Sequence, residues 1–200
     1  MIKAFSDFGV KLPGCNAFGP ALNKNNIDNW LRIWSSSLNN FSFFLILAGS
    51  RTAEVEGISA AGSTAYSRRY TAVADAEFLL NGPTDSNKWP LPPLQAGVSP
   101  ALISYVAKKF LRISEPLVIS VGLHQTPPFP HILIDSTSLG PAECLSTGQA
   151  MNIDRVENLW TKGISLGENL KKPLLIAECV PGGTTTAQAV LEGLGLRVSD

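Results

Sequence analysis

The stretch LLIAECVPGGTTTA, residues 174–187, combines a short apolar run, a turn with two adjacent glycines and a row of threonines. The apolar run at 174–177 predicts a buried strand, and residues 184–194 predict the helix that follows the turn. A strand, a glycine turn and a helix in this order are typical of one unit of an open α/β sheet.

Further apolar runs upstream predict the other strands of the sheet. None of them alternates polar with apolar residues, which favours strands buried on both faces, as in a parallel sheet covered by helices. The predicted strands are 43–49, 117–122 and 132–135, and the predicted helices are 71–80, 99–111 and 154–170, with a short helix within 141–151. Strands alternating with helices predict a three-layer αβα fold with a mostly parallel sheet, of the Rossmann-like kind.

The chain divides into two parts by composition. Residues 1–40 are polar and rich in asparagine, and they predict a helical and loop segment with one amphipathic helix at 25–36. Residues 41–200 form the predicted α/β nucleotide-binding domain, interrupted by a proline-rich loop at 83–98. Long loops in compact domains are often functional.

Overall composition excludes several classes of partner. Hydrophobic residues make up 44% of the chain and charged residues 16%, which is typical of a globular protein. The 16 basic and 16 acidic residues cancel, so no basic excess exists to bind nucleic acid. The low charge favours some surface buried against another subunit, and we expect a homodimer. The apolar runs are too short to predict a membrane span.

Cysteine and histidine usage gives no metal-binding pattern. Cys15, Cys144 and Cys179 contain no CxxC pair, and His124 and His131 lie far from any pair of cysteines. We expect free thiols, a cytoplasmic location and neither a metal nor a cofactor.

The turn after the last strand is the main candidate site. Gly182 and Gly183 allow close approach of a ligand to the backbone, and Thr184 and Thr185 lie where a helix begins. Free amides and the helix dipole attract an anion at such a position, so these residues predict a phosphate- or carboxylate-binding turn. An ordinary strand-to-helix loop is the alternative interpretation.

Other residues join this hypothesis by position. Glu178 ends the apolar run and could accept a hydrogen bond from a base or ribose, although a charge marking the exit of a strand is the simpler reading. The loop from Gly57 through Ser59 to Gly62 has side chains small enough for a flat ring to lie against it. A solvated or capping role in its helix is the favoured interpretation of Asp75, and a role in the site is the alternative.

Both motifs resemble those of a known family. Residues 177–187, AECVPGGTTTA, and residues 57–62, GISAAG, followed by 70–79, YTAVADAEFL, are similar to signatures of the nicotinate-nucleotide–dimethylbenzimidazole phosphoribosyltransferases. The resemblance is to the cyanobacterial and archaeal branch, which is uncharacterised, and it covers residues 43–196.

That resemblance implies a glycosyl exchange in the synthesis of the lower ligand of cobalamin. Nicotinate mononucleotide would transfer its ribose phosphate to 5,6-dimethylbenzimidazole, giving α-ribazole 5′-phosphate. Gly182, Gly183, Thr184 and Thr185 would hold the phosphate. The base and ribose would contact Glu178, Ser59 and Gly57.

The sequence departs from the better-known bacterial enzymes in two respects. Gly183 stands where those enzymes have an asparagine, and Ala48-Gly49-Ser50 stands where they have Asp-His-Gly. The general-base glutamate of that family lies in a C-terminal portion beyond this chain, so no catalytic residue is assigned and a truncated chain is expected. A non-catalytic nucleotide-binding module or an inactive homologue remains the alternative.

Overall fold

The computed structural model describes residues 40–89, 91, 99–135 and 139–198, together with positions 25, 26, 29 and 32. Those four separate positions are helical, and the rest of the helix predicted at 25–36 lies outside the described residues. Cys15 and most of the second half of the 83–98 loop also lie outside them.

The described residues form one parallel sheet. Its strands are β1 (Ser42–Ala48), β2 (Leu117–Val121), β3 (Ile132–Leu133) and β4 (Leu174–Cys179). They are ordered β3-β2-β1-β4, and each neighbouring pair is parallel. The chain therefore adds β2 and β3 on one side of β1 and then returns to add β4 on the other side.

Helices connect these strands. They are α1 (Ala65–Arg68), α2 (Thr71–Asn81), α3 (Pro100–Phe110), α4 (Ile153–Glu168) and α5 (Gly183–Gly193), with 3₁₀ helices at Arg51–Glu54 and Leu145–Thr147. The connections to β2 and to β4 run in opposite directions across the sheet, so right-handed crossovers place helices on both faces. The predicted three-layer, Rossmann-like α/β fold is confirmed.

Element boundaries differ from the sequence-based prediction at three places. β4 continues for two residues beyond 177, because Glu178 and Cys179 pair with Ile46 and Leu47 of β1. β3 is only two residues long. The 3₁₀ helix at Arg51–Glu54 and the short helix α1 were not predicted, since each has four residues and a hydrophobic period cannot repeat within about one turn.

The core lies between one face of the sheet and α2. Leu45 and Leu47 of β1 and Val118 of β2 point to this side, where they meet small and apolar side chains of α2. The α2 members are Ala72, Val73, Ala76 and Leu79. Alanine at two of these positions lets the helix approach the sheet closely. Each fully buried leucine or valine stabilises the fold by about 1.5–3 kcal/mol relative to exposure.

The layer formed by α4 is far more exposed. None of the residues of α4 is buried. Ile153, Val156, Trp160 and Ile164 recur along one side of the helix, and Trp160 is 71% exposed. We call these four residues the α4 stripe.

Within the described ranges, no helix combines the length and apolar character needed to cross a membrane.

Candidate functional site

A cavity of about 450 Å³ lies between the β1–β4 half of the sheet and the helices α2 and α3. Its lining includes Ser59, Ala60 and Ala61 from the GISAAG loop and residues 177–184 from the glycine turn and the strand before it. The fold thus brings the two motifs, which are far apart in the sequence, to one cavity. It opens near the carboxyl end of β4, where open α/β sheets bind their ligands.

Of the two glycines in the turn, only Gly182 has a backbone conformation that favours glycine. Gly182 adopts φ 77°, in the left-handed region, and a Cβ there would come within 3.1 Å of the backbone nitrogen of Ala53. Gly183 has no such torsion, and a Cβ on it would make ordinary contacts, the nearest at 3.4 Å from Val180. Gly182 is therefore the position that a side chain would disturb.

Helix α5 begins at Gly183 without a side-chain cap. The amide of Gly183 donates to the carbonyl of Val180 at 2.9 Å, and the amide of Thr186 donates to the carbonyl of Gly182 at 3.4 Å. The amides of Thr184 and Thr185, between them, belong to the first helical turn, where no intrahelical acceptor exists. They are donors of the kind that bind anions at helix N-termini.

The threonine side chains are accessible at this helix start. Thr184 is exposed and lines the cavity, and Thr185 is partly buried and is not among the lining residues. Neither is packed away into the core.

Glu178 lies beside the turn. It belongs to β4, is exposed, and its Oε1 is 3.5 Å from the position of a Cβ built on Gly183. Since side chains alternate along a strand, Glu178 and its neighbour Cys179 point to opposite faces of the sheet. The carboxylate of Glu178 therefore lies beside Gly183 on the face of the sheet opposite to α2, whereas Cys179 faces α2 and the cavity.

The GISAAG loop contributes unevenly to the cavity. Ser59 lines it, and its Oγ accepts a hydrogen bond from the amide of Ala61 at 3.3 Å. Gly57 adopts φ 81° in the turn that opens the loop and is not among the lining residues. The Oγ1 of Thr71 donates to the carbonyl of Ala61 at 2.5 Å, which ties the loop to the start of α2.

The two arginines after this loop are engaged by the protein itself. Arg68 is buried, and its guanidinium donates to the carbonyls of Ala53, Gly62 and Glu54. Arg69 forms a two-pronged ion pair with the carboxylate of Glu54, at 3.1 and 2.8 Å. Arg68 therefore holds the end of the loop, and both guanidinium groups already have acceptors within the protein.

A histidine adjoins the same ion pair. The Nε2 of His124 lies 3.4 Å from Oε1 of Glu54. Burial lowers the pKa of His124 from its usual value, while Arg69 lowers the pKa of Glu54. His124 is outside the lining of the large cavity and contacts a small pocket next to Pro181.

The sequence interpretation underestimated Asp75. Asp75 is partly buried and lines the cavity, which contradicts its assignment as a solvated or capping residue. The Oγ of Ser99 donates to its Oδ1 at 3.0 Å, and the thiol of Cys179 donates to its Oδ2 at 3.3 Å. Only the proximity of α2, β4 and the start of α3 assembles this cluster, so no local sequence signal identifies it.

Burial controls the ionisation of this cluster. It raises the pKa of the Asp75 carboxyl, and the hydrogen bonds from Cys179 and Ser99 oppose part of that effect. Burial, together with the nearby Asp75 carboxylate, raises the pKa of Cys179 well above its usual value, so this thiol stays protonated and acts as a donor.

The cavity offers both hydrogen-bond donors and a hydrogen-bond acceptor to a ligand. The amides at the start of α5 supply hydrogen-bond donors at one end, and Asp75 supplies an acceptor on the wall formed by α2. The lining residues of the described part include the acidic residues Asp75 and Glu178 and no lysine or arginine. No group of three or more histidine, cysteine, aspartate or glutamate side chains in that part is placed to hold a metal ion.

Known proteins resemble the chain over most of its length. It is similar to the UPF0284 proteins of cyanobacteria. It is 57% identical to the UPF0284 protein of Prochlorococcus marinus strain MIT 9313 and 54% identical to that of Parasynechococcus marenigrum strain WH8102, over 93% of this chain in each case. Identity to the Gloeothece citriformis protein is 45% over 84% of this chain.

These relatives are longer than the chain. The matched region covers 46%, 47% and 45% of the three proteins, so the chain spans about half their length. The UPF0284 name states no activity. No protein-family model matches the chain.

Proposed function

We propose that the chain binds a nucleoside monophosphate in the large cavity and serves phosphoribosyl transfer from nicotinate mononucleotide to 5,6-dimethylbenzimidazole. The observation that carries the proposal is the convergence of the GISAAG loop and the glycine turn on one cavity. In this arrangement the amides at the start of α5 hold the 5′-phosphate, and Thr184 adds a hydroxyl. The base occupies the part of the cavity next to Ser59.

The chemistry of such a transfer sets what the cavity must do. A ring nitrogen of the accepting base supplies the electron pair for the new bond to C1′ of the ribose. The electron pair of the old glycosidic bond leaves with nicotinate, and the ring N–H proton of the base passes to an acceptor. Holding phosphate and base in fixed positions supplies much of the rate enhancement.

A binding module without turnover is the second candidate. It is favoured by the cavity lining, in which the described residues include two acidic residues and no lysine, arginine or histidine. Backbone amides alone would then neutralise the phosphate charge.

A homodimer and a cytoplasmic location remain predictions, and the α4 stripe is the surface we propose for self-association.

Calorimetric titration with nicotinate mononucleotide tests binding at the turn. A Cβ on Gly182 would crowd the amide of Ala53 and strain a left-handed backbone. We therefore expect Gly182→Ala to weaken binding by about tenfold or more, corresponding to the 1–3 kcal/mol typical of such strain. Gly193→Ala is the matched control, because Gly193 lies in the same helix with nothing within 4 Å of an added Cβ.

Two outcomes would contradict the proposal. Folded wild-type protein that gives no binding heat would remove the nucleotide site altogether. Equal weakening by Gly182→Ala and Gly193→Ala would show that the turn itself does not hold the phosphate. An assay for nicotinate release in the presence of 5,6-dimethylbenzimidazole then distinguishes an enzyme from a binding module.

A further inference from the structure

A carboxyl group without a basic partner lies in the wall of the cavity. Asp75 projects from α2, and the groups that hold it are the hydroxyl of Ser99 and the thiol of Cys179. No lysine, arginine or histidine of the described residues forms an ion pair with it. Carboxylates in partly buried places are usually paired, so this one calls for a partner.

The neighbouring donors leave Asp75 with free acceptor capacity. Ser99 and Cys179 each donate one hydrogen bond, to different oxygens of the carboxyl group. An ionised carboxylate can accept about four hydrogen bonds in all. The two bonds fix the orientation of the carboxyl group and leave lone pairs for a ligand, which would supply the N–H or O–H donor.

Apolar side chains surround this part of the cavity. Leu45 and Ala177 come from the sheet, Ala76 and Leu79 from α2, and Ala101 from α3. A slot of this kind favours a flat, largely apolar ring over a sugar or a flexible amine. A ring that carries an N–H at its edge satisfies both the slot and the carboxyl group.

We propose that Asp75 is the specificity-determining residue for the base, accepting a hydrogen bond from the ring N–H of an azole-type heterocycle. The inference rests on the proposed function, because it assigns the base of that reaction to the Asp75 side of the same cavity. The helix start at Thr184 and Thr185 then holds the phosphate, and the ligand spans donors at one end and an acceptor at the other.

Two probes of nearly the same shape test the assignment. Benzimidazole carries a ring N–H, whereas benzoxazole has an oxygen at that position and keeps the other ring nitrogen. A hydrogen bond to a charged acceptor contributes about 1.5–3 kcal/mol, so we expect wild-type protein to bind benzimidazole at least about tenfold more tightly. Chemical-shift titration of the protein measures both affinities.

Substitution of the acceptor should remove this preference. In Asp75→Asn the charge is lost and the shape is kept, and we expect the benzimidazole-to-benzoxazole preference to fall to about two- to tenfold, since a neutral hydrogen bond contributes only about 0.5–1.5 kcal/mol. Asp75→Leu, which has no acceptor, should abolish the preference. Asp85→Asn, at an exposed turn position, is the matched control and should keep the wild-type preference.

The outcomes separate this inference from the proposed function. Ribose 5-phosphate, titrated into the same samples, reports on the phosphate site. Binding of ribose 5-phosphate with no preference for benzimidazole would overturn the role of Asp75 alone. A benzimidazole preference that depends on Asp75, without binding of ribose 5-phosphate, would support Asp75 and overturn the phosphate site. A folded protein that binds neither probe would overturn both.

Discussion

At the scale of the residue, Asp75 shows how a partly buried carboxyl group can act against stability. Its carboxyl group is partly buried, and its pKa is raised because burial disfavours the charged form. A carboxyl group with a raised pKa in the folded state stabilises the fold fully only below the pKa of the unfolded chain. That contribution is lost as the pH rises through the folded-state pKa. At neutral pH the ionised Asp75 therefore destabilises the fold.

Asp75→Asn should accordingly raise the melting temperature at pH 7. The amide cannot ionise, so the cost of burying a charge disappears, while its oxygen can still accept one of the two hydrogen bonds. The gain should shrink as the pH falls and should vanish below the ordinary aspartate pKa of 3.8. Cys179 is the titratable group that faces Asp75, and its thiol stays neutral throughout this range.

Thermal unfolding followed by circular dichroism between pH 3 and pH 8 measures this effect. Asp85→Asn, at an exposed position, provides the comparison for a carboxyl group in water. A melting temperature of Asp75→Asn that stays below that of wild type at pH 7 would show that the hydrogen bonds to Ser99 and Cys179 outweigh the cost of burial.

At the scale of the element, helices α4 and α5 use glycine in different ways. Gly182 precedes α5 in a left-handed conformation that most side chains disfavour. Gly163 and Gly167 lie inside α4, where a Cβ would have nothing within 4 Å. Glycines inside a helix often permit a neighbouring helix to pack closely. The open surroundings of these two glycines show no such packing among the described residues.

Gly163→Ala should therefore stabilise the monomeric protein, in which the α4 stripe is uncovered. Alanine is favoured over glycine in a helix interior by about 0.5–1 kcal/mol, and no neighbour would clash with the added methyl group. The free energy of unfolding, obtained from urea denaturation, should rise by about that amount.

Gly148→Ala is the matched control for this substitution. Gly148 also has nothing within 4 Å of an added Cβ, but its φ of 68° lies in the left-handed region. The same methyl group should therefore lower the free energy of unfolding by about 1 kcal/mol. A loss of stability in both variants would mean that the methyl group at Gly163 meets a surface that covers α4 in solution.

At the scale of the whole molecule, the two layers of helices differ in how well they are covered. The side of the sheet that faces α2 has a dense core, whereas α4 presents the α4 stripe to solvent. Contiguous apolar surface of this kind is characteristic of interaction sites. It is consistent with the homodimer that the low charge of the chain predicts.

Substitution of Trp160 tests self-association through the α4 stripe. We expect wild-type protein to show the mass of a dimer in light scattering, and Trp160→Glu to shift it to the monomer, because a charge buried in an apolar interface is costly. Phe110→Glu is the control, since Phe110 is 84% exposed on α3, outside the α4 stripe. Monomeric wild-type protein at all concentrations would contradict the proposal.

Much of the fold can be predicted from local patterns in the amino-acid sequence. The continuous apolar runs predict the four strands of the sheet, and the proline after Ser99 or the glycine pair after Pro181 predicts where helices begin. The expectation that every strand is buried on both faces is wrong for β3 and β4, which contain no fully buried residue. The local signals are readable because backbone geometry and hydrophobic periodicity depend on residues close together in the chain. The same locality made the glycine turn, with Gly182 and Thr184, identifiable as a candidate anion site.

Tertiary structure alone decided the strand order and the composition of the cavity. Asp75 lies in the cavity wall because β4 pairs with β1, which places Cys179 next to α2. Its other partner, Ser99, follows the proline-rich loop in the sequence and contacts Asp75 only in the folded chain. The role of Arg68 also depends on the tertiary structure. Its buried guanidinium donates to the carbonyls of Ala53 and Gly62, which lie in separate parts of the chain. The role of a charged side chain depends on its burial and on its hydrogen-bond partners. Neither is determined by the residues next to it in the sequence.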